Sequence, residues 1–404
     1  MIQVPQKAPL GRVLGAILLI AGCCIGAGML GIPVVSAVAG FRPSIVMFIL
    51  GWAYMVCTGL LLLEVNLWFS KETNIISVSG QLLGKVGQAV AWGGFLFIFY
   101  ALNIAYISGS GELLSDFIDR ELHVSISPWV CNVLSTMILG VILYLGIKAA
   151  DNFNRIFMLG LILCYGIFVS IGVPYVNAEY LQYENWKYAP MILPLVIISF
   201  GYHNLVPSLA SYLYRDVKML RLSIIVGSLI PFVAYIIWEW LILGLVPAEG
   251  PKGLQAALSQ GQMATHVLQE VSGSALVVTI AQAFAFFAIA TSFISVSLSF
   301  VDFLADGLKI DKTPKGKGIL CGLVLLPPLF FAMVYPQIFL SALSYAGGVG
   351  TVVLFGLLPA AMSWRGRYDK KLGGKQLLPG GKPAIIAIII FSLAVMGIQL
   401  TIGI

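Results

Sequence analysis

Long apolar runs separated by short polar connections fill nearly the whole chain, and each run approaches or exceeds the roughly 20 residues that a helix needs to cross a bilayer. Eleven such spans are predicted, at about 11–37, 43–69, 84–113, 128–147, 153–174, 189–213, 221–246, 274–305, 318–335, 337–363 and 383–403. The third and eighth are long enough to imply tilt or extension past the headgroups. Two spans depart from a continuous apolar helix. The first carries A-G-C-C-I-G-A-G-M-L-G-I-P over Ala21–Pro33, four glycines followed by a proline. Glycine weakens a helix, and proline removes a backbone donor and crowds the preceding turn. Such a break lines a cavity or site, because freed backbone groups find no water in lipid; alternatively, small residues serve close helix packing. The sixth span repeats the device over Ser199–Ser208, S-F-G-Y-H-N-L-V-P-S, with polar side chains between glycine and proline.

The two breaks are related by position. Pro33 and Pro207 lie 174 residues apart, and Glu64 in the second span has its counterpart 175 residues on at Glu239 in the seventh. An offset of five spans, an odd number, inverts the second half in the membrane relative to the first. Interrupted spans at corresponding positions of inverted halves point to a secondary transporter. A broken helix presents N–H groups from one half and C=O groups from the other, suited to a carboxylate and to a cation or α-amino group. A site offering both fits a zwitterion such as an amino acid. Ile25, Gly26, Ala27 and Gly28 are predicted to form one wall, and Phe200, Gly201, Tyr202, His203 and Asn204 the other.

Composition agrees: of 404 residues, 59% are hydrophobic and 10% charged, a polytopic membrane protein and not a soluble domain. The first run is read as a retained helix, not a cleaved signal. The net charge of +6 is a matter of topology, not of a nucleic-acid partner. With the N-terminus inside, 19 of the 23 Lys and Arg fall in cytoplasmic loops, Lys71, Lys148, Arg155, Arg367 and Lys375 among them, and only Arg42, Arg120, Lys187 and Lys252 fall outside. The positive-inside rule thus predicts a cytoplasmic N-terminus and an external C-terminus. The six cysteines show no metal or redox spacing and read as small buried hydrophobes. Loops near 114–127, 175–188 and 247–273 are external, the second rich in interfacial aromatics; 364–382 reads as a cytoplasmic hairpin against anionic headgroups.

At these same residues the chain resembles a known family. G-A-G-M-L-G-I-P in the first span is similar to the opening of bacterial tyrosine- and tryptophan-specific permeases. So are L-L-L-L-E-V-N at Leu60–Asn66, A-Y-I-S-G-S-G at Ala105–Gly111, the Ser199–Ser208 motif and T-S-F-I-S-V-S-L-S-F-V-D-F-L-A-D at Thr291–Asp306. These permeases form the aromatic branch of the amino-acid/polyamine/organocation superfamily, and the resemblance runs in order along essentially the whole chain. It implies an all-α fold of eleven transmembrane helices: a five-plus-five, LeuT-like inverted repeat with discontinuous helices 1 and 6 and one added C-terminal helix. Residues 1–404 then form a single transporter domain, with repeats at about 11–174 and 189–363 and the added helix at 383–403. The implied activity is uptake of aromatic amino acids by ion symport, usually with protons. In some proton-coupled relatives a basic residue in the fifth span replaces sodium, but Met158–Ile171 here contains no Lys or Arg. Thr291 and Ser292 stand where sodium-coupled relatives bind the ion, so sodium coupling stays open.

Single residues are weighed in the same way. His203 either works on substrate or proton, or is a neutral imidazole that holds the break in shape. Glu64 and Glu239 are candidate proton carriers or structural acids, Glu64 being near enough to its span's end to snorkel or to pair. Asn103, Tyr106 and Ser110 share one face of the third span, and Phe284, Phe287 and Thr291 one face of the eighth. Such stripes are often packing, and the resemblance is what places Asn103, Tyr106, Phe284 and Phe287 against the substrate. Gly109-Ser110-Gly111 with His203 is too short a motif to make a serine hydrolase, and a channel would repeat around a pore. The sequence therefore predicts a bacterial inner-membrane symporter for tyrosine or tryptophan, needing no cofactor beyond a proton or sodium gradient. Its partners are the substrate, the coupling ion and membrane lipid, with no nucleic acid; a broader neutral amino-acid transporter is the alternative.

Overall fold

The computed structural model describes residues 7–69, 74–271, 274–335, 337–372 and 376–402. Of the basic residues counted above, Lys71, Lys375 and the side chain of Lys148 lie outside the described residues. Regular structure is helical throughout the described residues, and ten helices, or eleven spans when one bent pair is counted, are long and apolar enough to cross a membrane. The protein is an all-helical, multi-pass membrane protein.

The first span is the bent pair, α1 (Leu10–Cys24) and α2 (Gly28–Ser36), which meet at 53°. The second is α3 (Phe41–Leu67), followed by α4 (Ile75–Leu122), α5 (Pro128–Leu145) and α6 (Ile147–Gly172). The sixth span comprises α7 (Leu193–Ser199) and α8 (Val206–Tyr212), with an irregular stretch between them. Then come α9 (Val217–Leu245), the short α10 (Leu254–Ser259) and α11 (Ala264–Val271), α12 (Ala275–Leu308) and α13 (Pro314–Val334). The tenth span starts as α14 (Phe339–Tyr345), widens to π geometry over Ala346–Leu357 and continues as α15 (Leu358–Trp364). The last span is α16 (Gly381–Ile402).

Local chemistry sets several of these limits. The Asn74 side chain accepts the Ser77 N–H at 2.8 Å and opens α4, and the Asp216 carboxylate does the same for the Lys218 and Met219 amides at the start of α9. Gly84, with φ of 74°, kinks α4. The wide turn of the tenth span brings Gly347 against α7, where an added Cβ would lie 1.8 Å from the Pro194 carbonyl oxygen.

Helix packing is nearly unchanged when each span is exchanged with the one five later. α1 packs on α9, and correspondingly α7 and α8 on α3; α12 packs on α6, and correspondingly the tenth span on α4. α4 with α5 is matched by α12 with α13, and α13 with α4 by α12 with α5. The pattern breaks at two places among the described residues: α7 is packed closely on the tenth span, whereas α1 is at most sparsely in contact with α6, and α5 packs on α6, whereas α13 is at most sparsely in contact with the tenth span.

Three connections differ from their sequence reading. The third span runs on as helix to Leu122, beyond 113, because Gly109 and Gly111 pack closely against neighbouring helices without breaking it. Within the stretch expected as a loop at 247–273, the described residues to 271 fold into α10 and α11, whose Leu254, Ala257, Val267 and Leu268 are buried and which pack over α2. The hairpin 364–382 turns one of its basic residues inward, away from the headgroup position expected for it. Arg367 makes a two-pronged ion pair with Glu64, Nε to Oε1 and Nη2 to Oε2 both at 2.7 Å, and Glu64 Oε2 also accepts the Leu377 N–H at 2.6 Å. Both side chains are about 95% buried, so Glu64 has its charge met within the protein.

Breaking a buried pair costs about 3–5 kcal/mol, because one charge is stranded. Arg367→Met is therefore expected to lower the thermal midpoint in detergent markedly, and Glu64→Gln combined with Arg367→Met to recover much of the loss. A double variant no more stable than Arg367→Met alone would contradict this role.

Candidate functional site

The two interrupted spans cross at their breaks. α1 and α7 both end there, so both direct carbonyl oxygens into the crossing. One group receives two of them: the Tyr235 hydroxyl of α9 lies 2.6 Å from the Cys24 oxygen and 2.8 Å from the Ser199 oxygen. Its single proton is shared between the two helix ends and ties both to α9.

The next half of the first span is fixed from another direction. The Ala27 N–H donates to Ser292 Oγ on α12 at 3.1 Å, and the Tyr106 hydroxyl of α4 lies beside the same Ser292. Close approach explains the glycines here. A Cβ at Gly26 would lie 2.3 Å from Ser292 Oγ, and one at Gly28 would lie 2.5 Å from Ser199 Oγ and 3.3 Å from its Cβ. The Ser199 hydroxyl is itself held on the Leu195 carbonyl at 2.7 Å.

The crossing is reached from one side. Cys23, Asn204, Ser208, Ser295 and Ser299 are exposed, all toward the side where α1 begins and where α8 and α12 end. Cys23 Sγ lies 3.4 Å from the Gly201 oxygen and 3.9 Å from Asn204 Oδ1. On the opposite side Met29, Leu30, Ile32 and Phe339 are buried, with α10 and α11 packed over α2. Gln255 of α10 donates to the Ala37 carbonyl at 3.1 Å, and the Met263 N–H to Glu112 Oε1 at 3.2 Å. The arrangement offers a small polar crossing, rich in backbone dipoles and open to one face, with no pair of acid and nucleophile in it.

Residues 11–399 match the tryptophan/tyrosine permease family. The chain belongs to that family. A tryptophan-specific transport protein of Pseudomonas aeruginosa is 28% identical over 97% of this chain and 94% of its own. The tyrosine-specific transport system 2 of Haemophilus influenzae is 30% identical, with 94% of each chain covered, and system 1 of the same organism is 32% identical with 89% of each covered. This permease is a transport protein and not an enzyme.

The permease brings together Ile25, Gly26, Ala27, Gly28, Tyr106, Gly201 and Asn204, all at or beside the crossing. Others are placed differently. Phe284 is fully buried against Trp238 and Tyr165, with ring centroids at 4.8 and 5.9 Å. Phe287 packs on Phe157 and lines an apolar groove of about 660 Å³ bounded by α4, α5, α6 and α12. The face of α12 that meets the crossing carries Ser292, one residue and so about 100° round the helix from the 284–287–291 stripe. Thr291 follows that stripe, and its hydroxyl donates back to the Phe287 and Ala288 carbonyls at 2.8 and 3.1 Å. Asn103 is fully buried and held on both its nitrogen and its oxygen, donating to the Phe99 carbonyl at 2.8 Å and accepting from the Ser297 hydroxyl at 2.5 Å.

His203 also points away from the open face. It is fully buried between the Tyr202 ring (4.8 Å) and the Phe355 ring (4.9 Å), with Nε2 2.9 Å from Thr58 Oγ1. Thr58 Oγ1 is also 3.2 Å from the Met55 carbonyl oxygen, and Nδ1 has no hydrogen-bond partner. Tyr202 donates to the same Met55 carbonyl at 3.0 Å, and Phe200 stacks on Tyr235 at 5.2 Å. These three aromatic-ring residues therefore shape the wall from behind. Glu239, fully buried on α9, stands one helical turn beyond Tyr235.

Sequence reasoning passed over Tyr235, Ser199 and Cys23. Tyr235 carried a usable signal, being four residues before a conspicuous intramembrane acid and on the same helical face.

Gly28→Val is expected to abolish uptake while leaving membrane insertion intact. Rotating the Ser199 hydroxyl away leaves the Ser199 Cβ and Cα still too close for a branched side chain. Transport assays paired with surface quantification check this; normal uptake would contradict the crossing as the site.

Proposed function

We propose that this permease imports tryptophan or tyrosine across the bacterial inner membrane by symport with protons, with its N-terminus cytoplasmic and its C-terminus external. The carrying observation is the crossing of two interrupted spans, with helix-end carbonyls and amides in one place, open to one face and covered on the other. Relatives specific for tryptophan or for tyrosine supply the substrate class. The Gly28 N–H at the start of α2 suits the carboxylate, since the Met29 and Leu30 amides donate to the Gly26 and Ala27 carbonyls; the crossing carbonyls suit the ammonium, and Tyr106 stands beside them to meet the ring.

The packing exchange between halves supports an inverted repeat and alternating access. If the two halves swapped packing, α1 would close on α6 and α7 would part from the tenth span, moving the opening to the other face. The hydroxyls offered for sodium are engaged: Ser292 Oγ accepts the Ala27 amide, and Thr291 donates within its own helix. A cation site needs converging free oxygens, and that favours the proton.

Radiolabelled tryptophan and tyrosine uptake into proteoliposomes, competed with each natural amino acid under imposed gradients, tests this. Uptake driven by a proton gradient and competed by aromatic amino acids alone is expected. Uptake driven by sodium would overturn the coupling and direct attention to Thr291 and Ser292, and competition by all neutral amino acids would overturn the substrate class.

A further inference from the structure

Glu239 has no role in the binding geometry above, yet its surroundings are distinctive. It is fully buried in α9, both carboxyl oxygens lack a hydrogen-bond partner, and no ion pair to it occurs among the described residues. It contrasts in this with Glu64, whose charge is met by Arg367.

The groups that face it come from three helices. The Ser36 hydroxyl at the end of α2 and the Ser44 hydroxyl of α3 are turned toward it. Ser44 donates instead to the Gly40 carbonyl at 2.6 Å, and Ser36 has no partner. On its own helix, Tyr235 is one turn nearer the crossing, and Trp238 is buried against Phe168 and Phe284. Arg42, the cation nearest in sequence to Ser44, has its charge met by Glu184 at 2.6 Å. An unpaired carboxylate in such a place is costly, whereas a carboxylic acid is tolerated.

The position couples this acid to the parts that must move. Ser36 ends α2, and the Ala37 carbonyl next to it is held by Gln255 of α10. A movement of α10 and α2 away from α9 would bring water to Glu239, and Tyr235 connects the same α9 face to both helix ends at the crossing.

We propose that Glu239 is the residue that carries the coupled proton. This rests on the symport reading above and names the carrier within it. With the covered face open, a carboxylate oxygen of Glu239 takes a proton from external water. With that face closed, the same O–H bond breaks and the proton passes by way of the crossing to water at the open face as the substrate leaves, and the carboxylate is ready for the next external proton. One proton moves per turnover, and no oxidant or other reactant is required.

The test is Glu239→Gln in proteoliposomes, read by tryptophan counterflow without a gradient and by accumulation with one. One coupled proton at a pH difference of about one unit supports about tenfold accumulation at equilibrium, since one unit equals a factor of ten. The variant is expected to keep counterflow and lose accumulation, ending near equal concentrations inside and out, while Glu239→Asp restores part of it. Accumulation by Glu239→Gln equal to the native protein's would overturn the proposal. If the variant shows no counterflow, dicyclohexylcarbodiimide on the native protein decides. A mass adduct on Glu239 that stops accumulation but spares counterflow supports it; an adduct without effect, or none at that residue, overturns it. Absence of counterflow in the native protein would be a distinct failure, of the transporter reading itself.

Discussion

Ending two helices in mid-membrane leaves carbonyl groups that lipid cannot satisfy, and the structure depends on how that constraint is met. Here the Tyr235 hydroxyl stands between the Cys24 and Ser199 oxygens, so the two interruptions are not independent. The first span is held from the far side by the Ala27 amide on Ser292. Glycine at 26 and 28 follows from these contacts, since any side chain there would displace Ser292 or Ser199. The break is thus a built crossing with fixed partners on α7, α9 and α12.

Around it, the rigid parts and the asymmetric part are separable. The Asn103–Ser297 bond links α4 to α12, and the Glu64–Arg367 pair links α3 to the end of the tenth span; both are buried. One difference between the halves lies in how α1 and α7 meet their surroundings, α7 packed on the tenth span and α1 nearly free of α6. A helix with two alternative neighbours to pack on is the kind of element that a switching transition uses. Polar exposure of Cys23, Asn204 and Ser208 marks the looser side.

Much of this was legible in the sequence because its causes are local. Span length and the glycine–proline interruptions both act through the nearest few residues, and the family's motifs fall on the same elements. What was not legible depends on distant partners. Nothing near Glu64 announces Arg367, 303 residues away. In α12, apolar residues lie on every face, so periodicity could not choose the side that meets the crossing. The family resemblance placed the Phe284–Phe287 stripe there, whereas the structure brings Ser292 to the crossing. His203, prominent as an ionisable group beside a break, is packed between two rings, a fact its neighbours in sequence do not carry. The stretch holding α10 and α11 is too short and polar to read as a span, and only its burial against α2 reveals a cover.

The central claim is that substrate occupies the crossing beside Cys23, Gly201 and Asn204. Cys23 is exposed there, whereas Cys24 and Cys131 are buried, so a variant retaining Cys23 as its single cysteine reports on the site directly. Its alkylation rate by a membrane-impermeant maleimide is the measurement to make, applied from each face of the membrane, with and without saturating tryptophan or tyrosine. The account predicts reaction from the face where α1 begins, slowed strongly by the aromatic amino acid and not by a charged one. A rate that saturating substrate leaves unchanged would contradict it.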